Sequence, residues 1–145
     1  MGVHFRGSDQ KTQERHPFPA TTKQIERQIS FLTKKYKYTK IFLVTEEKKY
    51  LSFFKKKYKE KLIFFDSYVC NNQNIFDNSK RNLHRYKIGK ENIINMICLS
   101  KTNHLLGVSS NMIGAAKFFS KKNIEFTLIN NGLNSNNIFI AQILW

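Results

Sequence analysis

Cysteine is scarce in this chain: Cys70 and Cys98 are the only two in 145 residues. Their separation gives no CxxC or Cys/His ligand spacing, which excludes a disulfide framework and a zinc motif. They read as apolar fillers or one exposed thiol in a reducing cytoplasm. Long apolar runs are also lacking. None approaches the ~20 residues of a membrane helix, and Met1 is not followed by a signal-peptide pattern. His4, His16, His84 and His104 form no HExxH or similar ligand set, so no metal is expected. With no GxGxxG, no GxxxxGK[ST] and no GxSxG, a dinucleotide fingerprint, a P-loop ATPase and a serine-nucleophile elbow are excluded.

Acidic residues are few as well, 10 against 25 basic ones, for a formal charge of +15. Such a balance suits a nucleic acid, a phosphorylated ligand or an anionic membrane surface. Two features discount it. Lysine, asparagine, isoleucine and phenylalanine are enriched together, as AT-rich codons produce, and Lys55-Lys56-Lys57 and Lys121-Lys122 fall near predicted helix ends, where cations complement the dipole. The expectation is one soluble cytoplasmic domain over 1–145, with peripheral contact at the inner membrane face as the variant that the charge allows.

The apolar run after Met1 predicts a first strand, with turn residues at Gly7, Ser8 and Asp9. Thr21 or Thr22 can cap a helix to about Tyr36, with Ile25, Ile29, Leu32 and Tyr36 on its inward face. The run 40–45 (KIFLVT) reads as a strand buried on both faces. Glu46 and Glu47 then open a second helix, whose inward stripe is Tyr50, Leu51, Phe54 and Tyr58, and 62–65 is a third strand. Residues 68–87 read as a long loop. A helix from about Gly89 should turn Ile93, Ile94, Ile97 and Cys98 inward, followed by a strand at 104–108. Another helix, 112–121, packs Ile113, Ala116 and Phe118 or Phe119 inward, before a strand at 125–129.

The order β-α-β-α-β-loop-α-β-α-β predicts an α/β fold, a Rossmann-like parallel sheet with helices on both faces. Ligands of such sheets bind off the carboxyl ends of the strands. Arg6 to Asp9, Thr45 to Glu47, Asp66-Ser67 and Ser109 to Asn111 all lie there. Ser109, Ser110 and Asn111, entering a helix, offer hydroxyls and backbone N–H groups to an anion, and Arg6 adds a guanidinium fork. The pair suits a diphosphate. Taken singly, an ordinary N-cap and an Arg6–Asp9 ion pair explain the same residues.

The segment HFRGSDQKTQE resembles the donor-site motif, roughly HxRRTDKxxxE, of the inverting α-1,6-fucosyltransferases, distant relatives of the protein O-fucosyltransferases. The likeness continues through IFLVTEE, ENIINMICLSK, SSN and NNGLNSNN, in the family's order along nearly the whole chain. It implies the carboxyl-terminal, nucleotide-sugar half of a GT-B glycosyltransferase, binding GDP-fucose without a metal or other cofactor and acting on a glycan or glycolipid acceptor. By position, His4 matches the histidine that touches guanine, and Asn95 falls where an aspartate reads the guanine amino edge. Arg6 matches the arginine on the β-phosphate, Asp9 the aspartate that helps hold it, and Glu14 the proposed general base. Ser109, Ser110 and Asn111 match the phosphate-contacting turn.

The chain departs from the family pattern at Gly7, in place of a second arginine, at Gln10, in place of a lysine, and at Asn95. The first removes half of the formal positive charge of the arginine pair, which Lys11 can partly replace; the last removes a charge-assisted bond to the base, which leaves another sugar nucleotide open as donor. The family's amino-terminal, acceptor-side domain has no counterpart ahead of His4. The expectation is a truncated enzyme, one completed by a separate polypeptide, or a donor-binding remnant. The alternative from another class is a noncatalytic basic module for RNA or an anionic surface, resting on KKYKYTK and KKKYKEK. Against it, Tyr36, Phe54 and Tyr58 lie on predicted buried stripes, and no RRM, KH or helix-turn-helix pattern appears.

Overall fold

Apolar alternation in β1 (Gly2–Phe5) divides the molecule. Val3 and Phe5 face one helical layer and His4 faces the other. The computed structural model describes residues 1–6, 13–71, 75–76 and 80–143. Its five strands are all parallel: β1, β2 (Ile41–Thr45), β3 (Leu62–Ile63), β4 (His104–Gly107) and β5 (Glu125–Leu128), in spatial order β3-β2-β1-β4-β5. The α/β, Rossmann-like sheet is therefore present.

One face is covered by α1 (Thr22–Tyr36) and α2 (Lys48–Tyr58), which is followed by a single 3-10 turn. Ile25, Ile29 and Leu32 of α1 and Phe54 of α2 pack there on Val3, Phe5, Leu43 and Leu106. The other face is covered by α3 (His84–Ser100) and α4 (Asn111–Phe118), whose Leu99, Ile113 and Ala116 pack on Val44 and Leu105. A capping box starts α1: Thr21 Oγ1 accepts the Gln24 N–H at 3.2 Å, and the Gln24 side chain accepts the Thr21 N–H at 2.9 Å. A short α5 (Ile138–Ile143) ends the described chain.

Several expectations change. Glu47 is the N-cap of α2 and Glu46 precedes it, so the acids stand at the positive end of the helix but outside its first turn; Glu46 pairs with Arg6 and the buried Glu47 with Lys49. The third strand shrinks to two residues. α3 begins at His84, not Gly89, and its inward face carries Ile88, Asn95 and Leu99, while Ile93 and Ile97 are exposed. Apolar residues surround this helix, so contact with the sheet, not its own periodicity, sets its rotation. α4 stops at Phe118, which leaves Phe118 and Phe119 exposed, and Tyr36 is exposed at the end of α1.

At the carboxyl ends of β1 and β4, His4 is in register with Gly107. A Cβ on Gly107 would lie 2.7 Å from the His4 carbonyl oxygen, inside any real contact distance. Glycine there lets the two strands close directly beneath the rim that carries the candidate site.

Candidate functional site

β2 lies on one side of β1 and β4 on the other, so the chain reverses its winding direction at β1. A crevice opens at the carboxyl ends of two parallel strands wherever that happens. Arg6 is the first residue past β1, and Ser109 to Asn111 come directly after β4 and its Val108. All four line one cleft of about 540 Å³, together with His16 and Pro17 and with Gly114 and Ala115 of α4. The small residues at 114 and 115 keep its α4 wall open; around Gly114 there is room for a side chain.

Ser110 is the N-cap of α4. Its Oγ accepts the Ile113 N–H at 3.3 Å, and no acidic side chain occupies the first turn. The positive end of the helix dipole therefore points at the cleft without an internal anion to neutralise it. Ser110 Oγ also lies 3.1 Å from His4 Nδ1. Burial, and then the charge of Arg6, push the His4 pKa down to about 4, so the ring is neutral near pH 7. In the tautomer protonated at Nε2, Nδ1 accepts the hydrogen bond of the Ser110 O–H while Oγ accepts the Ile113 N–H, which holds the cap in one orientation.

Arg6 is oriented by Glu46, from the end of the neighbouring strand, with Nε 3.1 Å from Oε2 and side chains 26% and 11% exposed. A carboxylate on the Nε edge directs a planar guanidinium, which binds two oxygens of a phosphate group far better than a lysine does.

The remaining sequence-derived candidates are distributed differently. Asn95 is buried on α3, donates from Nδ2 to Ser67 Oγ at 3.4 Å, and lines a second, narrow cleft with His4, Thr45 and Glu91. That cleft holds only about 10 Å³; Met112 belongs to its wall and to that of the large one. Burial of Glu91 opposes its ionisation, but hydrogen bonds from Arg81 and from the Tyr68 N–H hold its carboxyl below the ordinary range. Glu14 is exposed and does not line the large cleft, and Asp9 lies outside the described residues.

No family model matches the sequence, and no curated protein matches it. Among solved structures, the chain is similar to a crystal structure of NodZ alpha-1,6-fucosyltransferase co-crystallized with GDP. The two share 14% identity and a TM-score of 0.50 over 92% of this chain. The likeness is one of fold, the parallel α/β, Rossmann-like sheet. The chain spans 39% of the length of that neighbour. Among the described residues, no helix is long and apolar enough to cross a membrane, and no cluster of three His, Cys, Asp or Glu could hold a metal ion.

Within this α/β fold, sequence reasoning missed His16 and Pro17 in the cleft wall, and it placed Glu46 on the rim without pairing it with Arg6. One signal was available: 16–17 follow the first strand at its carboxyl end, where loops carry sites. The pairing was obscured by the position of Glu46 before a helix.

The buried His4 makes stability pH-dependent. Its folded pKa, about 4, lies below the ordinary 6.5, so between these values the unfolded chain binds the extra proton. The contribution is complete above pH 6.5 and disappears as the pH falls to 4, amounting to roughly 3 kcal/mol. Burial lowers the His104 pKa too and adds in the same direction. Urea unfolding at pH 7.5 and 4.5 should show the loss, and His4→Gln should flatten the difference by most of that amount. An unchanged difference would contradict the assignment to His4.

Proposed function

We propose that this chain is the donor-binding domain of a fucosyltransferase-like glycosyltransferase. It holds the diphosphate of a nucleotide sugar between Arg6 and the amino-terminal end of α4. One observation carries the reading: Arg6 and Ser109 to Asn111, a hundred residues apart in sequence, line the same cleft at the reversal point of a parallel sheet. The GDP of the structural neighbour makes a guanosine diphosphate sugar, GDP-fucose, the first donor to test.

The arrangement suits the chemistry of an inverting transfer. As the bond from the anomeric carbon to the diphosphate breaks, negative charge grows on the β-phosphate, where the Arg6 guanidinium and the α4 N–H groups stabilise it without a metal. A carboxylate then accepts the proton of the acceptor hydroxyl as it attacks from the opposite face. Glu14, exposed two residues before His16, has that role in the proposal, and Asp9 keeps the arginine-holding role that the family resemblance implies. His4 acts through Ser110 on the phosphate turn. For His4 and Asn95 to meet a guanine, the narrow cleft has to widen, since its present volume is below that of a base. The acceptor in this reading is a glycan or glycolipid.

Thermal unfolding with GDP, UDP and ADP tests the reading. A ligand at a hundred times its Kd stabilises by about 2.7 kcal/mol, and GDP should raise the midpoint more than UDP or ADP. Indifference to all three, with steeply salt-dependent binding of oligonucleotides, would instead favour a basic nucleic-acid module.

A further inference from the structure

The loop that follows β1 is fastened to the far end of the chain. The Arg15 N–H donates to the Ser135 carbonyl at 3.1 Å, the Asn134 N–H to the His16 carbonyl at 2.9 Å and the Phe18 N–H to the Gly132 carbonyl at 3.0 Å, with Pro17 bridged antiparallel to Leu133. Buried Asn134 adds hydrogen bonds from Nδ2 to the Gln13 carbonyl at 3.2 Å and to the Ala141 carbonyl of α5 at 3.1 Å. Arg15 has φ of 58°, a left-handed conformation that a side chain adopts at a cost and keeps only where its surroundings enforce it. The product of this bracing is the placement of the next residue. His16 is exposed, yet it lines the cleft with Arg6, Ser109 and Ser110.

We propose that His16 is a diphosphate-contacting residue, a third donor group on the side of the cleft that neither Arg6 nor the α4 terminus covers. The inference rests on the donor-site reading above and deepens it. An imidazole N–H donates to a phosphate oxygen in the neutral and the charged form, so it needs no particular protonation state to act. The clamp through 132–135 supplies what a loop side chain otherwise lacks, a fixed position before the ligand arrives. It also gives the asparagine-rich segment 130–137 a function, to hold this loop over the rim.

The experiment uses the whole chain and two probes, GDP and inorganic pyrophosphate, with affinities measured by calorimetry. His16→Ala should weaken both about tenfold, the loss of one hydrogen bond to a charged group, and His16→Gln, which keeps a donor, should recover part of it. Arg15→Ala, which removes a charge next door but outside the cleft wall, should stay within about twofold of the parent chain. Parental affinity in His16→Ala, with the parent binding both probes, overturns the role of His16 and leaves the donor-site reading intact. Equal losses in Arg15→Ala and His16→Ala overturn it in favour of diffuse charge. If neither probe binds the parent, the donor-site reading and this inference fail together.

Discussion

Arg6→Ala is expected to weaken GDP binding by about ten- to a hundredfold, the range for losing hydrogen bonds from a charged donor to a phosphate. The substitution has a second consequence that must be separated from the first. Glu46, with its side chain 11% exposed, loses the Arg6 cation, and weakening the charge compensation of a poorly solvated carboxylate destabilises the fold. Arg6→Ala/Glu46→Gln removes the carboxylate as well and should recover part of the stability in urea while GDP binding stays weak. Arg6→Lys keeps the charge but not the fork, and should fall between the parent chain and Arg6→Ala in affinity. Calorimetric titration beside urea unfolding of the same variants decides the matter. Arg6→Ala with parental affinity would remove the guanidinium from the phosphate site.

Phe5→Ala is expected to cost about 3–5 kcal/mol, the range for deleting a fully buried aromatic ring. Phe5 is 1% exposed, its ring centroid lies 4.4 Å from that of Tyr50, and it meets Phe54 edge-on at 5.8 Å. β1 is the central strand, so the cavity would open between the sheet and α2 with no flexible edge to collapse into it. Domains of this kind hold only about 5–15 kcal/mol in total, so Phe5→Ala removes roughly a fifth or more of the stability. The urea midpoint should fall sharply with little change in slope, and saturating GDP should restore part of it by mass action. A loss below about 1 kcal/mol would mean that Phe5 is not at the heart of this layer.

How far the sequence reveals this molecule differs from element to element. Residues 41–45 are legible because five consecutive β-branched, apolar or aromatic side chains suit a strand with both faces covered. The α1 start is legible because Thr21 and Gln24 form a cap within four residues. Ser110 is legible for the same reason, as a polar residue ahead of a helix. The rotation of α3 is not. With Ile88, Ile93, Ile94, Ile97 and Leu99 distributed around it, several faces are equally apolar, and only the sheet edge selects the one that buries Asn95. The exposed Phe118 and Phe119 misled for a related reason, since hydrophobicity does not tell where α4 stops relative to β5. The pairing of 132–135 with 15–18 had no local signature, because its two halves lie over a hundred residues apart.

The linear order of short-range signals determined the α/β class, the helix caps and the presence of polar groups at the carboxyl ends of the strands, because each depends on residues within a turn or two of one another. Only the tertiary structure decided which of those groups share a cleft. It did so through the strand order β3-β2-β1-β4-β5, which sets β4 beside β1 and so brings the α4 terminus to Arg6, and through the contact of chain ends that carries His16 to the same rim. The physical reason is that strand adjacency is settled by the packing of whole layers, a property no short segment contains.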